Sequence, residues 1–142
     1  MAKQISIFLE NKSGKLSQAT RVLGDAGINI RAFTIADTSD FGILRIIVND
    51  PDRANTILKT QNFTVSVTEV IAVQLPDTPG SLADIIEAIS QENLNIEYLY
   101  AFVGSNSSDA LVIFKVDDIE KAKNALRKKD IKYLEDDQLY QI

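Results

Sequence analysis

The feature that most constrains the fold is a repeat within the chain. Residues 71–82, IAVQLPDTPGSL, follow the pattern of residues 5–16, ISIFLENKSGKL, 66 positions earlier. In each copy apolar residues alternate with a period of two and lead, through a polar turn that contains a glycine, into a segment with helical periodicity. A chain of 142 residues that repeats at about half its length is therefore expected to form two small domains, residues 1–69 and 70–142.

The repeated turn predicts a binding site for a small anion. In the second copy we expect Thr78 to cap the helix and Pro79 to occupy its first position, where a missing N–H group costs nothing. Backbone N–H groups at such a helix start lack partners within the helix, and the helix dipole favours negative charge there. A carboxylate could therefore bind at the turn. The helix that follows is expected to bury a stripe of apolar residues, Leu82, Ile85, Ile86 and Ile89.

The first half predicts the order strand, helix, strand, strand, helix, strand. The first helix is expected to bury Leu16, Ala19, Leu23 and Ala26 and to end at Gly27. The segment Asp50–Asp52 is expected to begin the second helix. A hairpin turn is predicted at residues 37–40. The strands are predicted at residues 4–10, 28–36, 41–48 and 63–67.

The second half repeats this order, after a predicted link of a few residues near positions 68 and 69. Its first helix is expected to end with Asn93 where Gly27 stood, because asparagine also tolerates the left-handed conformation. The loop at residues 104–109 is two residues longer than its counterpart, so the offset beyond it becomes 68. Asp117–Asp118 is expected to start the last helix. The remaining strands are predicted at residues 71–75, 96–103 and 112–116 and within 131–142, with an interruption near 135–137.

A doubled βαββαβ pattern predicts an α+β protein with two tandem ferredoxin-like domains, each an antiparallel sheet with both helices on one face. In the second strand of each repeat both faces are apolar. The pattern places Ile30, Ala32 and Ala36 opposite Phe33 and Ile35, and it places Tyr98, Tyr100 and Phe102 opposite Leu99, Ala101 and Val103. We therefore expect the repeats, or a second copy of the chain, to cover the bare faces.

The charge and the residue types of the chain exclude several classes of function. The net charge is -5, with eight Lys and Arg against seven Asp and Glu in residues 1–69 and seven against thirteen beyond them, which disfavours nucleic-acid binding. Cysteine and histidine are absent, so thiol, imidazole and ordinary zinc chemistry are excluded. No apolar run approaches the roughly 20 residues that cross a bilayer, and Met1–Gln4 leads directly into a strand rather than a signal peptide. These features predict a soluble cytoplasmic protein without cofactors or metal.

The turns resemble the signature of the ACT domain. The residues that carry the resemblance are Asp77–Leu82 with Asn95–Ile96, and Asn11–Leu16 with Asn29–Ile30. The resemblance covers essentially the whole chain as two copies and is closest to free-standing tandem ACT proteins with no attached enzyme. It implies a regulatory protein that senses small molecules, usually amino acids, where the turn of one domain meets the start of strand two from a neighbouring domain.

Carried over to this sequence, the resemblance assigns three roles to each repeat. Gly14 and Gly80 would let backbone N–H groups hold the ligand carboxylate. The amides of Asn29 and Asn95 would contact carboxylate and ammonium, and Asp77 would pair with the ammonium, where the first repeat has Asn11. Ser13 replaces Pro79 and makes the first turn less rigid. The implied ligand-binding set is Asn11, Ser13, Gly14, Leu16, Asn29, Ile30, Asp77, Pro79, Gly80, Leu82, Asn95 and Ile96.

Several alternatives stay open from the residues themselves. The two glycines and the polar turn residues could serve backbone geometry and helix capping alone. The role of Asn29 and Asn95 could likewise be limited to bridging strand ends. The pairs Asp117–Asp118 and Asp136–Asp137 are better explained as helix-start and turn residues than as a metal site. For the whole protein, the main hypothesis is a homodimeric, non-catalytic amino-acid sensor. The alternative is a ligand-free interaction module that regulates a metabolic enzyme. An enzyme on this scaffold is the weakest reading, because no catalytic constellation is evident.

Overall fold

The computed structural model describes residues 2–10, 14–37, 41–103 and 110–135. The chain divides into two compact units, Lys3–Thr68 and Glu69–Ile142 with Met1–Ala2. The predicted domain boundary between residues 69 and 70 stays a prediction. The centre of the predicted hairpin turn, residues 38–40, the long loop at 104–109 and the aspartates at 136 and 137 lie outside the described residues.

The first unit contains a three-stranded antiparallel arrangement in the order β2-β3-β1. Its core lies between this sheet and two helices on one face, as predicted. Ala19 and Leu23 of the first helix and Leu58 of the second are fully buried against sheet residues such as Ile7 and Ile46. The elements are β1 (Ala2–Glu10), α1 (Lys15–Asp25), β2 (Ile30–Asp37), β3 (Phe41–Val48), α2 (Pro51–Thr60) and the start of β4 (Thr64–Leu75).

The second unit repeats this plan. In it the strands run in the order β7-β4-β6-β5, all neighbours antiparallel. Phe114 lies at the centre of its core, among Ile85 and Ile89 of one helix and Ala122 and Leu126 of the other. The elements after β4 are α3 (Ser81–Ser90), β5 (Ile96–Val103), β6 (Ala110–Val116), α4 (Ile119–Lys128) and the two-residue β7 (Tyr133–Leu134). The α+β prediction is confirmed in both units.

The predicted link near residues 68 and 69 is wrong. Strand β4 is continuous over twelve residues, Thr64–Leu75, and joins what the sequence pattern separated into strands at 63–67 and 71–75. The segment TVSVTEVIAV contains no glycine or proline and is rich in β-branched residues, which favour an extended backbone. Glu69 alone was not sufficient to end the strand.

A bulge shifts the register of the second strand in each repeat and changes the predicted facing of the first repeat's Ile30. The register of β2 against β3 shifts between Ile30 and Ala32, and that of β5 against β6 shifts between Ile96 and Tyr98. One extra residue in a strand reverses the alternation that follows it. Ile30 therefore shares the helix-bearing face with Phe33 and Ile35 and packs against the first core, where the sequence pattern had placed it on the opposite face.

The opposite sheet face is buried as well. In the first unit Ala32 and Ile47 are almost fully buried, and in the second unit the same holds for Leu111 and Ile113. Tyr100, which pairs with Ile113 on that face, is 8% exposed.

The residues that were predicted to begin or end helices largely do so. Gly27 and Asn93 adopt left-handed backbone angles, φ 74° and 61°, after α1 and α3. The Asp50 and Asp118 carboxylates each accept a hydrogen bond from a backbone N–H in the first turn of the following helix, at 3.2 and 3.1 Å. These aspartates are therefore helix caps, as the sequence indicated.

Replacing Asp118 with alanine is expected to lower the free energy of unfolding by about 1 kcal/mol, because the first turn of α4 loses its side-chain cap. Asp118→Asn is the matched control, since asparagine caps equally well, and it should change stability far less. Urea unfolding followed by circular dichroism measures both. Equal losses in the two variants would show that the negative charge, rather than the cap, stabilises the helix start.

Candidate ligand-binding turns

The turn between β4 and α3 differs from its predicted form at the helix start. The N-cap is Gly80, with left-handed angles φ 89° and ψ -8°, and no side chain caps the helix. Thr78 and Pro79 lie outside the helix, so the predicted cap and first helical position are wrong. Thr78 instead closes the turn, since its carbonyl accepts the Ser81 N–H at 3.2 Å and its hydroxyl lies 2.6 Å from the Ser81 hydroxyl.

The turn between β1 and α1 ends in the same way. Gly14 is the N-cap of α1, with φ 90° and ψ -9° and no side-chain cap. The first helical hydrogen bonds are also equivalent: the Gly14 carbonyl accepts the Gln18 N–H, and the Gly80 carbonyl accepts the Asp84 N–H, both at 2.9 Å. The predicted site residues Asn11 and Ser13 lie outside the described residues.

The two glycines are required for backbone angle rather than for space. A Cβ atom placed on either glycine would meet nothing within 4 Å, yet the left-handed conformation strains any other L residue. Open space therefore borders a helix start that has no side-chain cap, which is the geometry expected of an anion site. One N–H group, that of Ser81, is already bonded within the protein. Asp77 and Pro79 are exposed in the same turn.

The starts of the second strands have a shared architecture. The backbone N–H of Asn29 donates to the Asn49 side-chain oxygen at 3.0 Å, and that of Asn95 donates to the Asp117 carboxylate at 3.1 Å. It is thus the backbone of these asparagines that bridges strand ends, while both residues are exposed. This role of Asn49 and Asp117 was not predicted from the sequence, although their separation of 68 positions marks them as equivalent.

Within the first unit, the turn between β1 and α1 lies far from the start of β2. Glu10, at the end of β1, pairs with Phe41, whereas Ile30, at the start of β2, pairs with Val48. The partners are seven residues apart on β3, which corresponds to roughly 23 Å along the strand. The structure of a single unit therefore does not bring Gly14 and Asn29 together, and a ligand that contacts both needs a neighbouring domain.

An apolar groove of about 460 Å³ runs along α1 and β2 of the first unit. Leu16, predicted to be buried in the helix stripe, is 42% exposed at this groove, and Phe33 is 69% exposed. Leu82, the counterpart of Leu16, is exposed too. The prediction that these leucines are buried is wrong, because each lies in the first helical turn, beyond the edge of the core. The groove is lined by Leu16, Ser17, Thr20, Ile30, Phe33, Ile35, Leu44 and Ile46.

The remaining predicted residues, Ile30 and Ile96, begin β2 and β5 and pack partly buried against the two cores. Ile30 and Leu16 line the same groove. In the described part of the chain no group of three or more acidic side chains is placed to hold a metal ion. None of the helices in that part is long and apolar enough to span a membrane.

Comparison with known families decides the class of protein. The family model of the ACT domain pair matches residues 1–142. The chain belongs to the ACT domain pair family. This confirms the resemblance carried by the two turns. No curated protein sequence matches this chain.

Solved structures resemble the ACT pair over nearly its full length. Protein BT0572 from Bacteroides thetaiotaomicron is 42% identical, with a TM-score of 0.92 over 99% of this chain and 96% of that one. The ligand-free regulatory subunit of aspartate kinase from Thermus thermophilus has 17% identity and a TM-score of 0.64 over 89% of each chain. Its Thermus flavus counterpart has 18% identity and a TM-score of 0.61 over 88% of each. The last two likenesses show the fold alone.

Proposed function

We propose that this ACT pair is a non-catalytic regulatory protein that binds a free amino acid at its strand-one to helix-one turns. The observation that supports this most strongly is the matched pair of left-handed glycine caps, each leaving a helix start without a side-chain cap beside open space. Two helix starts of one geometry, at equivalent positions, suit the carboxylate that all amino acids share.

The side chains around each turn supply the remaining contacts. The exposed Asp77 carboxylate pairs with the ligand ammonium in the second repeat. The exposed amides of Asn29 and Asn95 can donate to a carboxylate and accept from an ammonium group. Two solved structures of the same fold are described as regulatory subunits of aspartate kinase, and the regulatory role is proposed for this chain by analogy with them.

The asparagine of each site comes from a neighbouring domain, and we propose that a second copy of the chain provides it. Each unit places its own turn and its own asparagine at opposite ends of the sheet. Strand β2 is the last in the order of the described strands, so its outer edge pairs with none of them, and the apolar groove beside it exposes Phe33 and Leu16. A homodimer formed along β2 would bury that groove, and the second copy would supply the asparagine at the start of its own β2.

The direct test is thermal melting against each of the twenty amino acids. A ligand at about 100 times its dissociation constant should stabilise the folded protein by roughly 2.7 kcal/mol. A panel in which at least one amino acid raises the midpoint in a concentration-dependent way supports the proposal. A panel that stays flat at millimolar concentrations contradicts it.

Replacing Phe33 with serine is expected to shift the protein from dimer to monomer, because the side chain is 69% exposed in the single chain and lies at the centre of the proposed interface. Val67→Ser is the matched control, since Val67 is also exposed but lies outside the groove. Sedimentation velocity measures both. A wild-type protein that is already monomeric at micromolar concentration would contradict the homodimer.

The exposed groove also favours a second candidate function, in which the protein binds no ligand and its apolar face contacts an enzyme that it regulates. Phe33, Ile35 and Leu16 would then cover a partner surface instead of a second copy. A monomeric protein with a flat amino-acid panel, which binds a purified amino-acid biosynthetic kinase only when Phe33 is intact, would support this candidate over the first.

A further inference from the structure

Each repeat contains a cavity at an equivalent position beside its strand-one to helix-one turn. The first lies between the end of β1, the start of α1 and the turn between α2 and β4, and has a volume of about 420 Å³. The second lies between the end of β4, the start of α3 and the turn after α4, and has about 310 Å³. The equivalent lining pairs are Phe8 and Gln74, Glu10 and Pro76, Lys15 and Ser81, Asn62 and Asp130, Phe63 and Ile131, and Thr64 and Lys132.

One wall of each cavity is the hydrogen-bonded turn that ends a helix, α2 in the first unit and α4 in the second. Asn62 and Asp130 have left-handed φ angles of 66° and 57°. The residue after each one donates its N–H to a carbonyl near the end of the preceding helix: Phe63 to Leu58 at 3.0 Å, and Ile131 to Leu126 at 2.9 Å. Hydrogen bonds of this kind fix the helix end, so both cavities have one preformed wall.

The two cavities differ in chemistry. The first contains three phenylalanine rings, and those of Phe8 and Phe41 form a tilted pair with centroids 6.2 Å apart. Both rings are exposed by more than a third, and Phe63 forms part of the same lining. The described residues that line the second cavity include no aromatic side chain, and among them are Asp84, Asp130 and Lys132.

Opposite charges flank the rings of the first cavity. Glu10 ends β1 and Lys15 begins α1, and both line the cavity. In the second cavity these two positions are Pro76 and Ser81, so neither charge is present there. A ligand carboxylate at Lys15 would also lie at the N-terminus of α1, where the helix dipole favours it.

We propose that the first cavity binds the side chain of an aromatic amino acid, with the ligand carboxylate on Lys15 and its ammonium on Glu10. The inference rests on the proposed function, since it names the ligand class that the first turn receives. The ligand ring packs on the edges and faces of Phe8, Phe41 and Phe63, as aromatic side chains do in protein cores. A volume of 420 Å³ is in the range of small-molecule pockets and accommodates an amino acid. The second cavity, without rings and with two aspartates, does not bind this ligand.

The chain contains no tryptophan, so binding of L-tryptophan can be followed through the ligand's own indole fluorescence, excited beyond the tyrosine band. With the full chain we expect saturable binding. Lys15→Gln and Phe41→Leu should each raise the dissociation constant by at least about tenfold, because one removes a charge-assisted contact and the other a ring. Lys129→Gln, which removes an exposed charge that lines neither cavity, is the matched control and should leave the dissociation constant unchanged. Melting of each variant without ligand verifies that it is folded.

Ligand analogues test the two charges separately. Tryptamine lacks the carboxylate and indole-3-propionate lacks the ammonium group, and each should bind at least about tenfold more weakly than tryptophan. Tryptophan binding that is insensitive to Lys15→Gln and Phe41→Leu would overturn the inference and leave amino-acid binding intact. The same follows if only aliphatic amino acids stabilise the protein. If no amino acid stabilises it, the inference and the proposed function both fail.

Discussion

Replacing Phe114 with alanine is expected to lower the free energy of unfolding by about 3–5 kcal/mol. The Phe114 side chain is fully buried at the centre of the second core, and its strand neighbours Ile71 and Leu99 cannot move far enough to fill the space left behind. The loss combines the transfer free energy of the ring with the cost of a residual cavity. Urea unfolding monitored by circular dichroism measures it.

The matched control is Phe33→Ala, because Phe33 is 69% exposed and its removal creates no internal cavity. We expect that change to stay within about 0.5 kcal/mol when the protein is dilute enough to be monomeric. Similar losses in both variants would contradict the assignment of Phe114 to a packed core and Phe33 to a surface groove.

The second large effect is expected on ligand binding. The double variant Gly14→Ala, Gly80→Ala should lose most of the roughly 2.7 kcal/mol of stabilisation that a saturating amino acid gives the wild type. Alanine is strained at φ 90° and 89°, by about 1–2 kcal/mol at each position, and relaxing that strain moves the helix start and the N–H groups in front of it. Thermal melting with and without ligand measures the difference.

Gly24→Ala provides the control for the glycine variants. Gly24 lies inside α1, outside the left-handed region, and a Cβ atom there would meet nothing within 4 Å. That variant should gain about 0.5–1 kcal/mol in stability and keep the full ligand effect. A double glycine variant that binds amino acids as tightly as the wild type would show that the ligand does not use the two turns.

The sequence alone was sufficient for the architecture because the fold is specified by short-range patterns. Period-two and helical segments occur in the same order twice, and the end signals Gly27, Asn93, Asp50 and Asp118 all act where the pattern places them. The match of the ACT domain pair to the whole chain agrees with that reading. Nothing beyond local propensity and the rules of strand connection was needed.

The errors have physical causes that a one-dimensional pattern does not contain. The bulge in β2 reverses the facing of Ile30 relative to the rest of the strand, and no glycine or proline marks it. Strand β4 continues through Glu69 because its β-branched neighbours favour an extended chain. Thr78 and Pro79 carry signals of a helix start, yet the left-handed angle of Gly80 delays that start until Ser81.

The candidate site was predictable only in part. The repeated glycines identified the turns, but their distance from Asn29 and Asn95 depends on strand register, which the sequence does not display. The paired cavities were missed because their walls come from segments about 50 residues apart, such as Glu10 and Asn62. Only a folded unit brings such segments into one lining.

Amide spectra of protein labelled with ¹⁵N-glycine show whether an amino acid binds at the two glycine turns. The chain has six glycines, so titration with the most stabilising amino acid is read from six resonances. We expect saturable shifts at Gly14, Gly80 or both, with Gly24, in the last turn of α1, and Gly27, just after that helix, serving as internal references. An amino acid that stabilises the protein yet leaves the Gly14 and Gly80 resonances in place would contradict binding at the turns.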